Sequence, residues 1–539
     1  MIFKKFFIHV ALFAAAVATA AANKCENSPD PFTVGTKNTK CDKYAKLQWK
    51  KRDKKCKKSE YLKNCPGICD KENCGCENIP FPLNKRGNTC AELVDFSEKR
   101  KKKKCRKELY LKGCPSICDE KQCDWFKKGD NINGEDTGDQ SGGSVSVSSD
   151  GKVVAIGASN NDGNSGDVSG HVRVYEWNKV ANLWKQKGGD IDGEHYHDYS
   201  GTSVSLNGDG SVVAIGAPFN DANDLPFYNT AEGHVRVFEY NEVAKSWDQR
   251  GQELNGQFLS DVFGTAVAIS SDGYIIAVGA PDNSDSVLYS GDVKVYKYIG
   301  SSWVQLGENI EGESKGDESG TSLSLSKDGK VVAIAAPWNY GNGESSGHVR
   351  VYEWNEVDNS WRQKGSDIDG EAPGDQAGSN YIGSGEAVSL SFDGSVVAIG
   401  SMYNDGDNGI RSGHVRVFEW KKNEVVNSWN QRGADIDGEH IFDESGRALS
   451  LSSDGKVVAI GARSNDDNGY MSGHVRVYEW NEVANYWKQK GNDMDGEDER
   501  DQFGTSISLS SDGSVVAIGA VFGGLGNSGH VSVFKWKGS

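Results

Sequence analysis

"SGHVRVYEW", residues 169–177, returns along the chain as "EGHVRVFEY" at 232–240, "SGHVRVYEW" at 346–354, "SGHVRVFEW" at 412–420, "SGHVRVYEW" at 472–480 and "SGHVSVFKW" at 528–536. A further copy, "SGDVKVYKY" at 290–298, carries Asp292 in the histidine's place. The marked positions are His171, His234, Asp292, His348, His414, His474 and His530, separated by 63, 58, 56, 66, 60 and 56 residues. A period near sixty defines a repeat architecture. Each unit holds four short strand signals: an alternating small and apolar run such as "TSVSL", an apolar run such as "SVVAIGA", the histidine stretch, and a closing "SWDQRGQEL". "SDG" or a variant between the first two is a hairpin signal. Seven four-stranded units predict a seven-bladed β-propeller over residues 125–539.

The ends of the repeat supply a closure. The last unit stops at "HVSVFKWKGS" without a fourth strand, and the first is preceded by an orphan one, "WFKKGDNING", from Trp125. Residues 125–132 are therefore expected to complete the final blade and remove its open edge. Trp125, Trp184, Trp247, Trp303, Trp361, Trp429 and Trp487 begin the fourth strands, and a ring of large aromatics at one repeat position predicts packing between blades.

The front of the chain is of another kind. Residues 1–22 have two lysines, an apolar run and small residues at A-x-A spacing, the pattern of a cleaved secretory leader. All twelve cysteines lie between Cys25 and Cys123. Cys25, Cys41, Cys56, Cys65, Cys69 and Cys74 are separated by 15, 14, 8, 3 and 4 residues, and Cys76, Cys90, Cys105, Cys114, Cys118 and Cys123 by 13, 14, 8, 3 and 4. Two copies of a six-cysteine module, residues 23–75 and 76–124, are expected, each stapled by three disulfides because so small a unit buries little core. Spacing alone does not choose among the fifteen pairings of six cysteines. Charge divides at the same boundary: residues 21–124 have 26 Lys and Arg against 15 Asp and Glu, and residues from 125 onward have 32 against 62. The fold class is thus all-β, a seven-bladed propeller preceded by two small disulfide-rich modules.

Two resemblances bear on these parts. "YLKNCPGICDKENC" and "YLKGCPSICDEKQC" resemble the end of ShKT modules. That likeness implies pairings Cys25–Cys74, Cys41–Cys65 and Cys56–Cys69, then Cys76–Cys123, Cys90–Cys114 and Cys105–Cys118. Phe263-Gly264 with Gly279-Ala280-Pro281, and Phe503-Gly504 before "SSDGSVVAIGA" and "GHVSVFKW", resemble the FG-GAP repeats of integrin α-subunit propellers. That resemblance implies an extracellular binding role. The family's calcium loop, D-x-D-x-D-G, is reduced here to "SSDG", "SKDG" or "SFDG", too few oxygens for a hard cation.

Chemistry is sparse in linear form. The six histidines are spread around the ring and cannot meet at one metal, so they are read as strand-entrance hydrogen-bonding groups. Acid concentrates in the recurrent "DIDGE" stretches and in variable loops such as "NDGDNG", which gives calcium candidates at Asp190, Asp192, Glu194, Asp405 and Asp407. No residue is expected to be catalytic and no cofactor is expected, with calcium the one ion considered. His195, His197 and His440 are the histidines outside the repeat position in the propeller loops, and no partner for them is legible. The expectation is a secreted, non-enzymatic binding or adhesion protein, its acidic loop face contacting an extracellular protein or polysaccharide and its basic modules contacting anionic polymer or the propeller. Nucleic acid and a membrane span are not expected, and the oligomeric state is not legible. A glycan-active hydrolase or lyase using two loop carboxylates is the alternative, since such a pair leaves no linear signature.

Overall fold

The computed structural model describes residues 33–34, 37–38 and 124–538, apart from 164, 222–230, 381–385 and 423–426. The leader, all twelve cysteines and, apart from residues 33–34, 37–38 and 124, the two six-cysteine modules lie outside the described residues. The chain divides into a unit of Met1–Asp124 with Lys537–Ser539, and a unit of Trp125–Trp536. No helix among the described residues is long and apolar enough to cross a membrane.

The second unit is a seven-bladed β-propeller. Blade 2 shows the plan: Ser203–Leu206, Val212–Ala217, His234–Asn241 and Ser246–Gln249 pair in order as an antiparallel sheet. Its register places Ala217 opposite His234 and Tyr240 opposite Trp247. The second strand, "VVAIGA", is buried along its whole length because both faces of a blade pack on neighbours. Its side chains therefore divide between two cores. In blade 1, Val153 and Ala155 join the core shared with blade 2, while Val154 and Ile156 join the core shared with blade 7. Seven such clusters, one per blade interface, replace a single central core.

The hairpin serine and aspartate work on the backbone. Ser148 Oγ accepts the Val153 amide at 2.9 Å, and Asp150 Oδ1 accepts the Lys152 amide at 3.0 Å. First strands face the ring axis and are stitched by their alternating serines: Leu206 N donates to Ser146 Oγ of the preceding blade, and Ile269 N to Ser205 Oγ.

The fourth strand differs from its reading as one continuous segment. It breaks after Gln249 and resumes as the two-residue Leu254–Asn255, which pairs with the start of the third strand. Gly251 lies in the break with φ +83°, and a Cβ there would stand 2.8 Å from Trp303 Cδ1 of the next blade. The break admits that indole, whose Nε1 donates to the Arg250 carbonyl at 2.8 Å. The same bond recurs from Trp184, Trp247, Trp361, Trp429 and Trp487 to the preceding blade. The tryptophan ring is therefore inter-blade packing with a hydrogen bond at each step.

The final blade draws on both ends of this unit. Asp124–Lys127 and Ile132–Asn133 complete the sheet of Phe503–Leu509, Val515–Ala520 and His530–Lys537. Trp125 donates to Lys490 O of blade 6 at 2.8 Å and meets Trp536 edge-on at 5.4 Å.

Candidate active site: a carboxyl pair on the loop face

Two loop sets meet at one end of each blade, and a buried Asp-Asn pair locks them. Asp198 accepts Asn220 Nδ2 at 3.0 Å with one oxygen and the Glu194 and His195 amides with the other. Asp261 with Asn283, Asp317 with Asn339, Asp375 with Asn404 and Asp443 with Asn465 repeat it. These aspartates are consumed in loop structure. The residue after each of these five, and after Asp139 and Asp501 at the same repeat position, adopts a left-handed backbone with φ near +50°: Gln140, Tyr199, Val262, Glu318, Gln376, Glu444 and Gln502. Strained positions that a scaffold enforces repeatedly, and whose side chains then vary, are where function concentrates.

At blades 3 to 5 this geometry assembles a cleft of about 790 Å³ lined by Asp282, Glu318, Trp338, Tyr403, Asp405 and Arg411 among others. Asp282 stands where the other blades place Asn160, Phe219, Trp338, Tyr403, Ser464 and Phe522. It therefore occurs once. Burial, and after it the Asp282 charge, push the Glu318 carboxyl up to about 7, while a hydrogen bond from the Trp338 side chain acts in the opposite direction. Burial raises Asp282 as well, aided by Asp261. The repeat-equivalent Glu444 has the opposite setting, with Arg447 and Arg463 at 3.9 and 3.6 Å from Oε2. Two carboxyls sharing a cleft, one of them raised to about 7, have the settings that an acid and base pair requires. Trp338, 39 % exposed, offers an aromatic face beside it. Arg411 lies 4.7 Å over the Tyr403 ring.

A second unrepeated pair lies in the narrow axial channel, where Lys327 and Glu386 line the wall with the first strands. Burial raises Glu386 to about 7 and lowers Lys327. Asn380 borders both the channel and the cleft.

The five residues read as calcium candidates do not meet. Asp190 groups with Glu135 and His171, and Glu194 with His234 and Glu253. The Asp192 carbonyl accepts Arg236 Nη2 at 2.6 Å. Asp405 is in the cleft wall, where Oδ1 accepts the Arg411 amide at 3.1 Å, and Asp407 borders a separate depression with His414 and Asp435. His195 and His440 sit beside the buried Asp198 and Asp443, each at 3.9 Å. Among the described residues Nε2 has no hydrogen-bond partner in His171, His234, His348, His414, His474 or His530, and in His474 Nδ1 has none either.

No protein-family model matches the chain, and no curated protein does. Among solved structures it is similar to a protein of Bacteroides uniformis provisionally assigned as a 6-phosphogluconolactonase, at 14 % identity and TM-score 0.44, covering 66 % of this chain and 85 % of that one. It is similar to the periplasmic gluconolactonase of Pseudomonas aeruginosa, at 17 % identity and TM-score 0.43 over 65 % and 84 % of the two chains. A protein of Bacteroides fragilis provisionally assigned as a 6-phosphogluconolactonase gives 12 %, 0.43, 66 % and 84 %. Likeness at this level transfers no activity. The three are named as gluconolactonases or provisional 6-phosphogluconolactonases and none for adhesion, and the adhesion reading is not carried forward. The expectation that no residue is catalytic is set aside with it: Asp282, an acid found once at its repeat position, and Glu318, an acid shared there only with Glu444, line one cleft. Sequence reasoning missed them because they come from loops of the same blade interface separated by a whole hairpin. The available signal was the break in the repeat: an acid at position 282 where aromatics or amides recur.

Proposed function

We propose that the propeller is a hydrolase of sugar-derived substrates, with Asp282 and Glu318 as its acid and base pair. The observation that supports this is the raised Glu318 carboxyl sharing one cleft with Asp282 and an exposed tryptophan. Aromatic faces suit the apolar face of a sugar ring, and a carboxyl that stays protonated near pH 7 can donate to a leaving oxygen. In the reaction proposed, Asp282 takes a proton from water, the water oxygen bonds to the electrophilic carbon, the C–O bond to the leaving oxygen breaks, and Glu318 supplies the proton that oxygen needs. The finer sequence readings accompany this as proposals: a cleaved leader and extracellular location, two ShKT-like modules, FG-GAP-like blades, and polysaccharide as the form in which substrate is met.

The test is turnover on a panel of glycosides, polysaccharides and sugar lactones, followed by reducing-end and acid release. Activity on a member of the panel that is lost in both E318Q and D282N supports the proposal. Activity unchanged in E318Q, or none on any member of the panel, overturns it.

A further inference from the structure

The histidines that count the blades lie between blades, and carboxylates converge on five of them. Glu135, His171 and Asp190 form one group, and Glu194, His234 and Glu253 a second. The others are Glu313, His348 and Asp367; Glu371, His414 and Asp435; and Glu439, His474 and Asp493. In each, the three ligand atoms lie within 4.8 Å of one another. The glutamate comes from the loop after the fifth strand of one blade, while the histidine and the second acid belong to the next.

At His414 each carboxylate has one oxygen engaged and the other turned to the imidazole. Glu371 Oε1 meets Arg416 at 3.6 Å, and its Oε2 faces His414 Nδ1 at 3.8 Å. Asp435 Oδ1 accepts Gln431 Nε2 at 2.5 Å, and its Oδ2 faces the same Nδ1 at 4.0 Å. At the next interface Glu439 repeats the arrangement with Arg476 at 3.5 Å and His474 at 3.9 Å, and Gln489 holds Asp493. The imidazole separations of 3.8, 4.0 and 3.9 Å are too long for hydrogen bonds. Two ligand atoms each about 2.1 Å from a shared ion stand about 3.4 Å apart in tetrahedral geometry, so contraction of about 0.5 Å in the imidazole separations, and of at most about 1.4 Å in the widest ones, closes the set around one. His474 is 1 % exposed, and neither of its ring nitrogens has a hydrogen-bond partner.

The other two interfaces provide an internal control. Between blades 2 and 3 the glutamate becomes Gln257, the histidine Asp292, the arginine Lys294 and the second acid Asn309. Asn309 Nδ2 donates to Asp292 Oδ2 at 2.9 Å, and the fully buried Lys294 Nζ lies 3.8 Å from that oxygen. Between blades 6 and 7 the second acid becomes Asn131, and Lys127 pairs with Glu497. Each of these two therefore sets one lysine against one carboxylate. The five histidine groups instead set one arginine against two carboxylates and leave a negative charge uncompensated. Where the chain supplies no lysine, it leaves a histidine and two oriented oxygens.

We propose that these five interfaces are divalent metal sites of the zinc class, each clamping two adjacent blades. One imidazole nitrogen with two carboxylate oxygens suits zinc or a similar first-row ion better than calcium, which takes oxygen alone. The arginine ion pairs and, in four of the five groups, the glutamine hydrogen bonds are the outer contacts that orient such ligands.

The test uses the full-length chain, stripped with a chelator and dialysed against buffered zinc chloride, with bound zinc measured by elemental mass spectrometry. H414Q, H474Q and E371Q should each bind one zinc fewer per chain than the wild type, while H530Q should bind the same amount. Zinc should raise the melting temperature of the wild type and raise it less in an H414Q/H474Q double variant. Equal zinc in wild type, H414Q and H474Q overturns the proposal, as does calcium giving the same stabilisation with no dependence on the histidines. E371Q and the H530Q control keep the test decisive if one histidine variant fails to fold.

Discussion

Replacing Trp125 with alanine tests whether the N-terminal strand closes the ring. Its side chain is 7 % exposed, packs in the cluster between blades 6 and 7, meets Trp536 edge-on at 5.4 Å and donates to Lys490 O at 2.8 Å. Truncating a buried aromatic of this kind costs about 3–5 kcal/mol, which includes roughly 1 kcal/mol for the hydrogen bond and roughly 1 kcal/mol for the ring pair. Unfolding entropy of about 2.1 cal/mol/K per residue gives a unit of roughly 400 residues close to 0.9 kcal/mol per degree, so W125A should melt about 3–6 °C lower. W125F keeps most of the ring and loses the donor, so its deficit should be the smaller of the two. Differential scanning calorimetry on W125A, W125F and V180A, the last on a fully exposed turn, makes the comparison. A W125A transition within a degree of the wild type, with V180A also unchanged, would refute closure by this strand.

Other outcomes follow from the same geometry. Gly251 and Gly300 both have positive φ, but only at Gly251 would a Cβ meet the neighbouring blade's tryptophan, whereas at Gly300 it meets nothing within 4 Å. G300A should cost the backbone strain alone, about 1–2 kcal/mol, and G251A clearly more in a chemical denaturation series. The buried histidines resist protonation in the folded state, with His348, His414 and His474 lowered to about 4. The unfolded chain protonates them from pH 6.5 downward, so each contributes stability that is present above 6.5 and is lost as pH falls toward 4. The raised carboxyls Glu318, Glu386 and Asp292 act in the opposite sense over the same range. The readout is therefore the difference between metal-free wild type and H474Q, whose stability should fall less steeply between pH 6.5 and 4. Equal slopes would contradict neutral burial of His474 beside Glu439, Arg476 and Asp493.

The seven blades, their hairpins, the closing strand and the tryptophan ring were legible because each is a local pattern repeated at constant spacing. The break at Gly251 was not, since it answers to Trp303 in the next blade and no residue within the strand demands it. The histidine groups were half legible. "HVRV" and "DIDGE" both recur, but the glutamate reaches the histidine of the following blade, as Glu194 does His234, and only the fold sets that pairing. Blade 3 carried the usable clue, because Gln257, Asp292, Lys294 and Asn309 all depart from the repeat together. Asp282 and Glu318 left the faintest trace, since each is one unremarkable acid in an acidic chain and only the ring brings their loops to one cleft.

The pH dependence of kcat/KM on whichever sugar-derived substrate is turned over tests the central claim most directly. With Glu318 as the general acid, activity should fall as pH rises through about 7, and in D282N any residual activity should show that limb moved to lower pH because the neighbouring negative charge has gone. An alkaline limb that persists unchanged in E318Q would contradict the assignment of this cleft as the active site.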